Sequence, residues 1–177
     1  SCNGVFAQLA AELGADCLAD YADKAGLTST YTVSGLKTAA GRCDVNEATT
    51  GQLGWAGVGQ YNDLVNPCGL MVYMGAIANG GKAAVPKLVL KTENSLGMSG
   101  LSGPTRKTSK LIEADTAELL ADMMSRSVTD TYGAGRFPNM DVCAKSGTAE
   151  VGGGKSPHAW FAGFLRGEDT PYAFVVL

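Results

Sequence analysis

Along the chain, apolar positions recur at helical spacing in four stretches and gather into short β-prone runs in four others. "VFAQLAAEL" predicts a short amphipathic helix over 5–13, with Val5, Phe6, Leu9 and Leu13 on one face and Gly14 just beyond its end. "ADCLADYADKA" predicts a second, from Ala15 to Ala25, stopped by Gly26. The clearest helix signal is "NPCGLMVYMGAIANGG". Asn66 suits the N-cap and Pro67 the first helical position, while Leu70, Tyr73, Met74 and Ile77 make an apolar stripe. A long helix is expected from about Glu113 to Thr131, carrying Leu119, Leu120, Met123 and Val128 inward.

The β-prone runs are "AAVPKLVL" and, in the tail, "DVCAKSGTAEV", "HAWFAGFL" and "YAFVVL". Pro86 places the first at a sheet edge or a bulge, because a proline has no N–H to give to a ladder. The last three are joined by the short connections "GGGKSP" and "RGEDTP", the pattern of an antiparallel meander. Residues 28–45 read as an irregular surface excursion with extended pieces, and 95–110 as a flexible connector. Helices first and a meander last define an α+β fold, an antiparallel sheet packed with helices. No internal repeat interrupts it.

Hydrophobic residues at 45% and charged residues at 18% give the balance of one globular domain rather than a disordered chain. A net charge of −3 argues against a nucleic-acid partner. No run approaches the ~20 apolar residues of a membrane span, and nothing at the start reads as a secretory leader. The chain starts abruptly at "SCNGVF" and stops inside the apolar run "YAFVVL", which predicts a piece of a longer protein. Five cysteines with no C-x-x-C pair, and one histidine, are poor material for a zinc site; most of the cysteines read as small buried hydrophobes.

Chemistry concentrates in "AKSGTAE", 144–150. Lys145 offers a fixed positive charge, and the hydroxyls of Ser146 and Thr148 suit a carboxylate. Gly147 would let a ligand lie flat against a strand edge and pair with its backbone. Alone, the string is also what a polar strand end looks like. At the other end, "SCN" places Ser1 and Asn3 at the mouth of a helix, where capping would explain them equally well. "AEVGGGKS" falls one residue short of a phosphate-binding loop, and the strand-like "HAWFAGFL" after it argues against that reading.

S-x-N followed far downstream by K-[ST]-G is the second and third of the three motifs S-x-x-K, S-D-N and K-T-G of penicillin-recognising serine acyltransferases. The stretches "SCNGVFAQLAAELGAD", "GWAGVGQYNDLVNPCGLMVYMGAIANGGKAAVPKLV" and "CAKSGTAEVGGGKSPHAWFAGFL" resemble the class B penicillin-binding proteins, in order and rough separation. Cys2 stands where the motif has Asp, and Ser146 where it has Thr. The nucleophilic S-x-x-K belongs upstream of Ser1. The one such string within the 177 residues, "SGLK" at 34–37, lies downstream in an irregular stretch and reads as a decoy.

The resemblance implies a partial penicillin-binding transpeptidase or serine β-lactamase-like fold, with 1–177 as the C-terminal part of one transpeptidase domain incomplete at both ends. It implies a D,D-transpeptidase that cross-links peptidoglycan stem peptides ending in D-Ala-D-Ala and is acylated by β-lactams. It places that enzyme on the extracytoplasmic face of the membrane, beside a possible glycosyltransferase partner, and calls for no cofactor or metal. Ser1 would relay a proton, and Asn3 would hold the substrate amide and orient the absent lysine. Lys145 would supply positive potential, Ser146 and Thr148 would bind the terminal carboxylate, Gly147 would leave room for the substrate, and the Thr148 N–H would donate into the oxyanion hole. A β-lactamase or β-lactam sensor of the same superfamily, a non-catalytic binding module and a nucleotide-binding protein stay open as alternatives. Truncation further predicts exposed apolar surface and unpaired edges around "HAWFAGFL" and "YAFVVL".

Overall fold

The computed structural model describes residues 2–101, 103–167 and 169–177. In chain order it runs α1 (Asn3–Leu13), α2 (Ala15–Lys24), β1 (Thr32–Val33), β2 (Leu36–Lys37), α3 (Thr50–Gly57), α4 (Pro67–Ala78), β3 (Lys91–Glu93), β4 (Ser99–Leu101), α5 (Ala114–Tyr132), β5 (Asp141–Ala149), β6 (His158–Arg166) and β7 (Ala173–Val176). The last three form one antiparallel sheet in the order β5-β6-β7, so the α+β layout and its tail meander are as the pattern predicts. The β6 strand lies between the other two, but β7 pairs with it only from Phe161 to Phe164, so the open edge expected at "HAWFAGFL" remains at His158–Trp160. Among the described residues, the outer edges of β5 and β7 are also unpaired.

The α4 helix starts where its cap residues say. The Asn66 side chain accepts from the N–H groups of Cys68 at 2.8 Å and Gly69 at 3.4 Å, and Pro67 takes the first turn. Its stripe lies against the sheet. Met74 and Ile77 are buried with Ala117, Ala121 and Met124 of α5, and with Cys143, Ala162 and Phe164 of the strands, while Leu70 and Tyr73 pack alongside. The opposite side of α4 is also buried, where Val72 and Ala76 meet Ala83, Tyr31 and Leu111. The end of α5 reaches a second cluster, in which Val128 packs with Val142 and Ala144 beside Phe161, Leu165 and Phe174. Asp122 of α5 holds Arg166 at the end of β6, 2.6 Å away.

Four expectations about faces and pairing fail. Leu119 and Met123 of α5 point to solvent at 62% and 57% exposure; the buried stripe is Ala117, Ala121, Met124 and Val128. Small alanines let the helix approach the sheet, and large residues on that face would hold it away. Val5, Phe6, Leu9 and Leu13 of α1 are likewise exposed, and Ala10 is the residue it buries. "AAVPKLVL" forms no strand. It makes one bridge, Ala84 to Lys107, and the N–H groups of Leu88 and Val89 donate instead to Ser34 Oγ at 2.8 and 2.9 Å. The expected connector is structured: 99–101 pair with β3, and Val85 N–H donates to Arg106 O at 2.8 Å.

The α3 helix was not foreseen, although its start carries a capping box: Gln52 N–H donates to Thr49 Oγ1 at 3.4 Å, and Thr49 N–H to Gln52 Oε1 at 2.8 Å. It packs on α1 through glycines. A Cβ at Gly57 would lie 2.2 Å from the Ala10 Cβ, and one at Gly54 would lie 3.2 Å from that of Ala7. This close contact fixes the start of α1 against the end of α3, and that corner is one wall of the site.

Candidate active site

A cleft of about 610 Å³ opens between this corner and the sheet. Its walls are Asn3 and Phe6 from α1, Trp55 and Gly57 with Val58 and Gln60 from the end of α3, and Lys145, Ser146, Gly147, Thr148 and Glu150 from β5. Residues 142 sequence positions apart thus meet at one cavity. The β5 strand is at the sheet edge, paired with β6 from Asp141↔Arg166 to Ala149↔His158, and its other side faces away from the sheet. An edge strand has backbone N–H and C=O groups to offer an extended ligand.

The polar groups of the cleft are largely unspent. No hydrogen bond of the Asn3 side chain, nor of the Ser146 or Thr148 hydroxyl, occurs among the described residues. The α1 helix has no side-chain cap, so capping does not account for Asn3. Lys145 is exposed, and its Nζ donates to the Ser146 carbonyl at 2.6 Å. Gly147 has ordinary extended backbone, and a Cβ there would meet only the Trp160 Cβ, at 3.9 Å. Neither backbone conformation nor internal packing therefore demands glycine at 147. Ser1, the remaining candidate, lies outside the described residues.

Two competing strings lose their case. Ser34 of "SGLK" sits at the turn between β1 and β2 with φ 49°, its oxygen occupied by the two N–H groups of the 83–90 segment. No helix presents it beside Lys37. Gly152, Gly153 and Gly154 all hold positive φ in the β5–β6 turn, and His158 opens a strand rather than a helix. A phosphate loop needs a helix N-terminus at that point. The buried Cys143, two residues before Lys145, is no hidden nucleophile. Burial pushes its thiol up to about 11, opposed by Arg166 and helped by Asp141 and Asp122.

A larger hollow, about 790 Å³, lies between α4 and the β6–β7 turn, lined mainly by hydrocarbon such as Met71, Val72 and Phe164. It holds none of the motif residues, and size alone does not make it the site. Trp55 and Glu150 are cleft residues that the sequence pattern did not single out, and Phe6 entered it only as part of an apolar helix face. Trp55, 60% exposed, has a signal in retrospect: it lies three residues after the Gln52 of the capping box, beside the GxGQ segment at 57–60.

All 177 residues match the penicillin binding protein transpeptidase domain, and the chain belongs to that family. The peptidoglycan D,D-transpeptidase PbpA of Mycobacterium tuberculosis is 29% identical over 188 residues, covering all of this chain and 36% of that protein. The chain thus spans about a third of the length of the curated relatives it matches. The solved imipenem acyl-enzyme complex of penicillin-binding protein A from M. tuberculosis superposes with a TM-score of 0.87 at 26% identity, over 99% of this chain and 39% of that one. The D,D-transpeptidase domain of a peptidoglycan glycosyltransferase from Eggerthella lenta gives 0.82 at 27% identity, over 98% of this chain and 45% of that one.

Proposed function

We propose that this chain is the C-terminal part of one transpeptidase domain, incomplete at both ends, and that the whole protein cross-links peptidoglycan stem peptides by serine acyl transfer. The observation that carries the reading is the meeting of Asn3 with Lys145–Thr148 around one cleft, where the Asn3 amide and the Ser146 and Thr148 hydroxyls have no hydrogen bond among the described residues. The serine of an S-x-x-K motif borne on the remainder of the domain, with the lysine of that motif beside it, attacks the D-Ala-D-Ala carbonyl or a β-lactam ring. Ser1 passes a proton towards the leaving amine, and Asn3 holds the substrate amide. Lys145 supplies positive potential, and the Ser146 and Thr148 hydroxyls take the terminal carboxylate. The peptide lies along β5 over Gly147, and the Thr148 N–H donates to the developing oxyanion. The setting is the outer face of the cytoplasmic membrane, with a cell-wall glycosyltransferase as partner.

The test is acylation of the full-length protein by a labelled penicillin. Lys145→Ala should slow it by about 10²-fold or more, as loss of an electrostatic donor at an acyl-transfer site does, while Lys155→Ala in the β5–β6 turn leaves it unchanged. Equal effects would refute the assignment. The 177-residue chain alone should take up no label, and stoichiometric labelling at Ser34 would overturn the reading of "SGLK".

A further inference from the structure

One feature of the molecule is rooted in the core at Ala83 and Leu111 but runs out beyond both core and cleft. Residues 81–93, 99–101 and 103–111 form a two-stranded arm, held together by the Ala84–Lys107 bridge, the Thr108 N–H to Ala83 O bond at 2.9 Å and the β3–β4 pairing. Ser34 pins it to the body through Leu88 and Val89. The tip is a defined turn. Gly97 N–H donates to Asn94 O at 3.0 Å with Gly97 at φ +77°, and Asn94 Oδ1 accepts from the N–H groups of both Leu96 and Met98 at 3.0 Å.

Two properties of this arm have no explanation within the chain. Leu88, Leu90, Leu96 and Met98 are 71%, 65%, 81% and 62% exposed, and the turn chemistry asks for no hydrocarbon at 96 or 98. Charge is also partitioned. Residues 82–112 hold six of the fourteen Lys and Arg but one of the seventeen Asp and Glu, a local +5 against −8 for the rest of the chain. Lys91 is paired with Glu93 at 3.1 Å and Lys110 with Glu113 at 2.6 Å, whereas Lys82, Arg106 and Lys107 have no carboxylate partner among the described residues.

We propose that the arm is a peripheral membrane contact: it lies along an anionic lipid surface, its leucines and Met98 among the acyl–headgroup boundary and its cations on lipid phosphates. Exposed hydrocarbon interleaved with cations is the pattern of an interfacial segment, and each cation near such a surface raises affinity roughly fivefold. None of the arm residues named here lines the cleft, so the contact orients the protein without occupying its site.

Hydrogen exchange of the full-length protein reads this locally. On vesicles containing phosphatidylglycerol, amides of 94–100 should exchange at least about fivefold more slowly than on phosphatidylcholine vesicles, and the difference should vanish near ~1 M salt, where charge is screened within a few ångströms. Leu96→Ser with Met98→Ser, and separately Arg106→Glu with Lys107→Glu, should abolish it while the midpoint of thermal unfolding stays unchanged. Equal exchange on both lipids overturns the proposal. So does a difference that survives high salt, and so does protection without lipid that Leu96→Ser with Met98→Ser removes, which would mean that another protein segment covers the tip, since the turn's own bonds run through Asn94.

Discussion

Val142, Cys143 and Ala144 are 6%, 0% and 1% exposed, whereas Lys145, Gly147 and Thr148 lie open on the same strand. Backbone pairing does not distinguish the two halves, since both run in one unbroken register with β6. What differs is the cover. The first half is sandwiched between α5 and the neighbouring strand's Phe164 and Leu165, and its side chains are chosen for volume. The second half is held by the ladder alone, which frees its side chains and its outer edge for a ligand. A rigid core strand continued into open space holds polar groups in place at a cleft, because the buried half supplies the rigidity.

Substitutions on the two halves should therefore separate stability from activity. The largest effect is expected at Phe164, 1% exposed and opposite Cys143. Phe164→Ala should cost about 3–5 kcal/mol in denaturant unfolding. Lys145→Ala should stay within about 0.5 kcal/mol, as exposed positions do. Comparable losses would end the distinction between the halves.

Two glycines of this strand pair, Gly163 opposite Ala144 and Gly147 opposite Trp160, sharpen it further. A Cβ at Gly163 would lie 2.2 Å from the Cys143 carbonyl and 2.7 Å from the Ala144 Cα, so Gly163→Ala must push β5 and β6 apart. Its expected cost is about 1–3 kcal/mol. Gly147→Ala meets no such obstacle and should leave unfolding within about 1 kcal/mol of the parent. Its effect should appear in the full-length protein as slower penicillin acylation. Unchanged acylation would show that no ligand lies against residue 147.

The smallest effect concerns pH. Burial raises the Cys143 thiol from 9.0 to about 11, so the folded state holds its proton more tightly than the unfolded one does. That contribution to stability is complete below pH 9 and is lost as pH climbs towards 11. Cys43, raised to about 11 by burial and by Asp63, titrates over the same window. Cys143→Ala should flatten part of the alkaline fall in unfolding free energy, and Cys43→Ala a further part. A fall just as steep in the double variant would assign it to other groups, such as Tyr31 and Tyr73, whose hydroxyls burial also raises.

Signals confined to a few neighbouring residues were legible in the sequence. Asn66-Pro67 set the start of α4, the short turns set the β5-β6-β7 order, and "KSGT" marked the open half of β5. Each depends on local backbone chemistry or on a strand's alternation, which the chain carries with it. Burial was not legible in the same way. Hydropathy assigned the core faces of α1 and α5 to their largest apolar side chains, yet Ala10 meets Gly57, and Ala117 and Ala121 meet the sheet. Which residue is buried depends on how closely two surfaces can approach, and small residues decide that only when their partner is known. The cleft has the same origin: Asn3 and Thr148 carry no mutual signal along the chain, and they share a cavity because two glycines in α3 allow α1 to settle against it.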